Sequence, residues 1–293
     1  MHCAVVMVIA LSIVFLASSS SFAFGKGKLR ERVRNHRIKN VIVLIPDGCD
    51  ETVQTLARWY KGEDLQVDSM EGGGVMNHMA NSVITGSAAA ATAFSSGEKT
   101  TVRFLGVGPR TDDLLSIYQP EDMAPPYAPV ATVLEAAESR GMSTGLVATS
   151  RITHATPAAF GCHIEDRGWD NDIMEHLVYN NIDVVFGGGA RHLIPAGATY
   201  TTSFGEAWGG KRTDGEDLMQ VLLDRGYQFV DNGTDMNALR SSKVWGLFDD
   251  SHMQPDIDRA HLHTNEPSLA EMTGKAIELL SQNSRGFFLM VEG

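Results

Sequence analysis

Asn40-Val41-Ile42-Val43-Leu44-Ile45-Pro46-Asp47-Gly48 is a compact, largely β-branched run closed by a turn sequence, and it reads as a buried parallel strand. In open α/β sheets ligands gather at the carboxyl ends of strands, so Asp47 stands where metal ligands sit. The same carboxylate can instead cap the helix expected over residues 51–60. Outward from this strand the chain alternates. A helix over 126–140 is closed by Gly141, and a strand over 145–149 runs into Ser150-Arg-Ile-Thr-His-Ala-Thr-Pro157. A helix over 174–179 precedes a third strand that opens onto Gly187-Gly-Gly189, and residues 195–215 are loop-rich without an assignable element. Further on come a helix over 217–225, a strand end over 228–230 and a strand over 243–248. Ser268-Leu-Ala-Glu271 is a capping box, and Leu269, Met272, Ile277 and Leu280 form one apolar face behind it. That helix leads into Phe287-Phe-Leu-Met-Val-Glu-Gly293, an apolar strand ending in Glu292. Strand alternating with helix predicts an α/β fold: a mostly parallel central sheet with helices on both faces.

With 293 residues the chain can bury a substantial core. A composition of 43% hydrophobic and 20% charged residues is that of a globular protein, and outside the extreme N-terminus there is no apolar run long enough for a polytopic membrane protein. The net charge of −12 argues against a nucleic-acid surface. It also means that an anionic substrate needs a local positive centre, made by metal ions or a well-placed arginine. Residues 1–23 have the pattern of a secretory signal, with an apolar stretch from Ala4 to Ala17 and small residues around Ala23, although no Lys or Arg precedes the stretch. Export to a periplasmic, extracellular or cell-surface location is the expectation, a short membrane anchor the alternative. Residues 24–39 form a basic leading segment, with seven basic residues against Glu31. Residues 40–293 are expected to be one domain. Cys49 and Cys162 remain after removal of a leader and can pair or stay free. Asn232-Gly-Thr234 fits a glycosylation acceptor.

The candidate nucleophile lies in Val83-Ile-Thr-Gly-Ser87-Ala-Ala-Ala-Ala-Thr-Ala-Phe-Ser-Ser-Gly97. Alanine has the best helix propensity, and Gly86 permits a sharp change of direction just before it. Ser87 then sits at a helix N-terminus, where free N–H groups and the positive end of the dipole favour a bound phosphate. The plainer reading makes Ser87 an N-cap. Three strand ends offer oxygen ligands: Asp47, the His154/Thr156 loop and Glu292, a hard-oxygen set suited to Mg²⁺. Arg167, in Cys162-His-Ile-Glu-Asp-Arg167, can grip two phosphate oxygens at once or pair on the surface with Asp166 or Glu165. His163 can equally be a hydrogen-bonded interior histidine.

The blocks NVIVLIPDG, TGSAAAATAFSSGEKT, FLGVG, THATPAAFGCHIEDR, VVFGGGA and PSLAEMTGKAIELL…GFFLMVEG, in that order, resemble successive blocks of the alkaline phosphatases from residue 40 to residue 293. The resemblance implies a metal-dependent hydrolase of small phosphomonoesters with broad tolerance, two Zn²⁺ and one Mg²⁺, exported and homodimeric. Ser87 matches the transiently phosphorylated serine and Arg167 the arginine that binds phosphoryl oxygens. Asp47, Thr156 and Glu292 match the Mg²⁺ ligands, Asp47 also bridging to one Zn²⁺, and His154 falls beside them. Related phosphodiesterases and sulfatases share the strand-tip aspartate, but GSAAAATA together with HATP points away from them. Two departures stand out. The family usually has Asp before the serine where this chain has Gly86, which is expected to loosen phosphate binding. Most of the family's zinc ligands fall beyond the VEG block, so little activity is expected of the 293 residues alone, and the alternative is a non-catalytic remnant that binds Mg²⁺ or phosphate weakly. His252, His261 and His263 match none of those ligands.

Overall fold

The computed structural model describes residues 4–7, 38–70, 72–119, 121, 123–262 and 264–293. Apart from Ala4–Met7 and residues 38–39, the expected leader and basic segment lie outside them. The strands are β1 (Ala4–Met7), β2 (Asn40–Ile45), β3 (Ser143–Arg151), β4 (Val184–Gly188), β5 (Thr199–Thr201), β6 (Ala207–Gly209), β7 (Gln228–Val230), β8 (Val244–Leu247) and β9 (Phe287–Glu292). Seven of them form one sheet in the order β1-β2-β9-β3-β4-β8-β7, and every pairing in it is parallel. β5 and β6 form a separate antiparallel pair, which resolves the stretch 195–215 that carried no sequence assignment.

The last strand in the chain is central. β9 lies between β2 and β3, with Glu292 opposite Ile45 on one side and Ala148 on the other. Its side chains alternate between two cores: Phe288 and Met290 face one, Phe287, Leu289 and Val291 the other. A strand covered on both faces has no polar face to show. This is why residues 287–291 read as uninterrupted apolar sequence.

Helices cover both faces as expected: α1 (Glu51–Lys61), α2 (Ser87–Ser96), α3 (Val133–Ser139), α4 (Ala155–Ala158), α5 (Asp170–Tyr179), α6 (Leu218–Asp224), α7 (Gly233–Ala238), α8 (Asp256–Leu262) and α9 (Leu269–Leu280). The capping box of α9 is present, with the Glu271 N–H donating to Ser268 Oγ at 3.2 Å and the Ser268 N–H to Glu271 Oε2 at 2.8 Å. Met272, Ala276, Leu279 and Leu280 are buried, while Leu269 and Ile277 pack at the margin. Among the described residues no helix is long and apolar enough to cross a membrane. Two points left open by the sequence are decided. Cys49 and Cys162 both carry free thiols, and Cys162 is fully buried. Asn232 is no open glycan acceptor: it caps α7 through Oδ1, and its Nδ2 donates to Ser203 Oγ and Asp235 Oδ2, both at 2.7 Å.

A half-buried acid on α3 yields a pH prediction. Burial beside Asp183 and Glu135 raises the Glu138 carboxyl from its ordinary 4.5 to about 7, although Thr144 Oγ1 donates to it at 3.1 Å. Between those two pH values the folded protein holds a proton that the unfolded chain has released, so stability falls as pH rises through this window. Glu138→Gln is expected to remove that loss, leaving stability at pH 5 unchanged and raising it at pH 8 by about 1 kcal/mol, after allowance for its half-exposed position. Urea titrations at the two pH values measure it; an equal effect at both would contradict the assignment.

Candidate active site

Two capping questions left open by the sequence are answered by the backbone. Gly86 is extended (φ −104°, ψ 166°) and holds the cap position of α2 without a side-chain bond, so Ser87 is the first helical residue. The Ser87 hydroxyl has no hydrogen-bond partner among the described residues and stays available for chemistry. Before α1 the cap is Asp50, whose Oδ1 accepts from the Val53 N–H at 2.9 Å. Asp47 is thereby released from capping. Its N–H donates to Gly293 O at 3.0 Å, and the Gly293 N–H donates to Ile45 O at 3.2 Å, which ties the tips of β2 and β9 together.

The alanines have a packing role. Ala88, Ala89 and Ala91 are buried, and their small side chains let α2 lie close against α4, itself wholly buried. That approach sets Ser87 across from Thr156. A cavity of about 320 Å³ is lined by Asp47, Ser87 and Thr156, with Gly48, Thr85 and Phe94.

Glu292, 4% exposed, lies behind Thr156. Ser150 Oγ donates to its Oε2 at 2.8 Å, and His154 Nδ1 stands 3.9 Å from Oε1. Burial alone would raise the Glu292 carboxyl, but His154, Ser150 and Thr156 outweigh it and hold the group below the usual range, hence ionised. Arg167 Nη2 donates to His154 Nε2 at 2.8 Å. Arginine has no acceptor, so Nε2 accepts and the ring proton is on Nδ1, facing Glu292. The surface pairing considered for Arg167 does not form: Asp166 is taken by Arg103, with Nε at 3.1 Å from both carboxylate oxygens. Burial foremost, then the neighbouring Arg103 and Arg151, lowers the Arg167 pKa, while Asp47 and Glu292 act in the opposite sense. His163 is an interior residue, bonded to Gly106 O at 2.7 Å and Glu135 Oε1 at 2.8 Å.

All six sequence candidates therefore meet at the carboxyl ends of β2, β3 and β9. The sequence reading missed Ser150, Arg103 and the Arg151–His252 pair. Ser150 was legible as a hydroxyl at a strand tip, whereas Arg103 reaches Asp166 from a distant loop and has no local signature. The donor set fits a hard cation: Asp47 and Thr156, which line the cavity, and the ionised Glu292 behind them all offer oxygens. A zinc set does not form among the described residues. A mutually close set of acids, Glu175, Asp214 and Glu216, encloses the buried Arg212 guanidinium away from this cavity.

The alkaline phosphatase family model matches residues 38–293. The chain belongs to the alkaline phosphatase family. The repressible alkaline phosphatase of Saccharomyces cerevisiae is 33% identical over 310 residues, which cover 97% of this chain and 50% of the relative. Alkaline phosphatase 3 of Bacillus subtilis is 33% identical over 301 residues, covering 97% and 57%. The chain thus spans about half the length of the curated relatives it matches. The crystal structure of Thermus thermophilus alkaline phosphatase superposes with a TM-score of 0.71 at 29% identity, over 88% of this chain and 50% of that one. That of the Antarctic bacterium TAB5 gives 0.67 at 30%, over 87% and 65%. Alkaline phosphatases act on phosphomonoesters and use zinc and magnesium, and a TAB5 variant has been solved with magnesium in its M3 site.

Proposed function

We propose that this chain carries the nucleophile, the phosphoryl-binding arginine and the magnesium ligands of a phosphomonoesterase that works through a phosphoserine. The observation that supports it is the cavity where a hydroxyl without a hydrogen-bond partner, Ser87, faces Asp47 and Thr156. The free N–H groups of the first turn of α2 attract a phosphoryl group there. Ser87 Oγ attacks phosphorus in line and gives up its proton, the P–O(ester) bond breaks and the ester oxygen leaves with the electron pair to take a proton as the alcohol. Water then adds to phosphorus, breaking P–O(Ser87), returning a proton to the serine oxygen and releasing inorganic phosphate. Arg167 holds phosphoryl oxygens through both steps, and His154, accepting from Nη2, fixes the guanidinium. Asp47, Thr156 and Glu292 would hold magnesium, which when bound would supply positive charge to the site. Export, expected from residues 1–23, belongs with this reading, and removal of that leader would take β1 with it and leave β2 at the edge of the sheet.

A non-catalytic binder of phosphate and magnesium is the second reading, favoured by the lack of a zinc set among the described residues. Calorimetry with inorganic phosphate tests what the two share: Arg167→Ala is expected to weaken binding by about tenfold or more, and unchanged affinity would remove Arg167 from the site. Turnover separates them. A polypeptide of these 293 residues supplied with zinc and magnesium is expected to hydrolyse a chromogenic phosphate ester little or not at all, and turnover abolished by Ser87→Ala would overturn that expectation and decide for the enzyme.

A further inference from the structure

Asp166 immediately precedes Arg167 in the chain, and a carboxylate so placed competes with a phosphoryl group for the guanidinium. The two groups are within electrostatic reach: Arg103 foremost holds the Asp166 carboxyl below its usual range, and Arg167 adds to the effect. Yet the neighbours do not pair. Asp166 is held from other sides, with Arg103 Nε 3.1 Å from both carboxylate oxygens, Arg103 Nη2 2.5 Å from Oδ1, and the Gly168 N–H donating to Oδ1 at 2.7 Å. Among the described residues no carboxylate is in ion-pair contact with Arg167, whose Nη2 donates to His154.

The backbone builds this arrangement. Arg103 sits at φ 73°, in the left-handed region that a residue other than glycine keeps only where its surroundings hold it. Its carbonyl accepts from the Arg167 N–H at 3.0 Å, and Leu105 and Ile164 exchange backbone hydrogen bonds of 2.8 Å in both directions, so 103–105 runs antiparallel beside 164–167. One residue thus anchors the Arg167 backbone through its carbonyl and takes the adjacent carboxylate through its side chain. The Arg103–Asp166 side chains are 52% and 30% exposed, so the pair contributes little to stability. Its consequence lies in what Arg167 is left free to do.

We infer that Arg103 is a positioning residue of the phosphoryl site: by occupying Asp166 it keeps that carboxylate from neutralising Arg167, whose guanidinium stays against His154 and open to an anion. This inference rests on the phosphoryl-binding role proposed for Arg167. A guanidinium has five N–H donors, and one given to His154 leaves others for phosphoryl oxygens. Paired fork to fork with Asp166, it would lose two donors and most of its pull on an anion. Arg103 itself touches no substrate.

Calorimetry with the full chain, saturating magnesium and inorganic phosphate tests the role. Arg103→Met, which keeps the stem and removes the charged fork, is expected to weaken phosphate binding about fivefold or more. Adding Asp166→Asn to that variant is expected to restore affinity to within about twofold of the unaltered protein, because asparagine still accepts from the Gly168 N–H but has no charge to hold Arg167. Asp166→Asn alone is expected to leave affinity within about twofold. If the Arg103–Asp166 link only shaped the loop, the double variant would stay as weak as Arg103→Met. If only overall charge mattered, Asp166→Asn alone would bind tighter by as much as Arg103→Met binds weaker. Either result, or unchanged affinity in Arg103→Met, overturns the positioning role while Arg167→Ala still weakens binding. Failure of phosphate to bind, or binding indifferent to Arg167→Ala, overturns the phosphoryl site and the positioning role together. Arg103→Gln repeats the test with a second side chain, and thermal melting of every variant is compared with that of the unaltered protein, so a fold defect in one leaves the other decisive.

Discussion

Glu292→Ala is expected to lower magnesium affinity by roughly a hundredfold or more. The carboxylate lies at the tip of β9, 4% exposed, between the strands that deliver Asp47 on one side and the Thr156 loop on the other. Its charge is retained in the interior by the His154, Ser150 and Thr156 groups around it. On the proposed reading its removal deletes one magnesium ligand; it also frees the groups that pack on it, Ser150, Thr156 and His154, and through His154 loosens Arg167. Phosphate affinity is therefore expected to fall along with magnesium affinity. Glu292→Gln keeps the volume and an acceptor for Ser150 but removes the charge, so it should retain the fold and still lose magnesium. Calorimetric titration with magnesium measures both variants; affinity unchanged in both would sink the ligand assignment.

Gly286→Ala is expected to destabilise the fold by about 3 kcal/mol. Gly286 closes the turn between α9 and β9 at φ +96°, and a Cβ there would stand 1.8 Å from the Lys39 carbonyl oxygen. No side-chain rotation relieves that clash, because the atom in the way is backbone. The Gly286 carbonyl also accepts from the Ser143 N–H at 3.0 Å, the first link between β9 and β3. A shift here propagates along the strand that ends in Glu292. Chemical denaturation measures the loss, and a midpoint equal to that of the unaltered protein would show that the turn relaxes freely. Magnesium affinity of the variant gives a second readout, expected to fall with the displacement of β9.

The element types were legible because each rests on a local cause. Residues 41–45 and 287–291 are β-branched or apolar throughout, which suits burial on both faces, and the Ser268–Glu271 box is a contact between neighbours in sequence. The strand-tip logic located Asp47 and Glu292 for the same reason: the end of a strand is visible in the chain, and ligands collect there. Capping roles were less legible. Asp47 and Asp50 lie three residues apart and either can cap a helix; only the backbone angles select Asp50. At Ser87 the choice turned on one residue, since an extended Gly86 takes the cap position and leaves the serine inside the first turn. The ion pairing of Arg167 was legible least of all. Its sequence neighbour Asp166 is the natural partner by proximity, yet Arg103, sixty-three residues upstream, takes that carboxylate.

By itself the sequence determined that this is an α/β protein of alternating strands and helices, with a serine at a helix N-terminus and acids at strand ends, because propensity, periodicity and turn chemistry act over a few residues. Tertiary structure alone decided that β9, last in the chain, inserts between β2 and β3, and so brings Glu292 to within reach of Ser150, Thr156 and His154. It also decided that Arg167 turns inward to His154. Those outcomes depend on which groups compete for one carboxylate or one buried strand position, a competition settled in space between residues far apart in the chain.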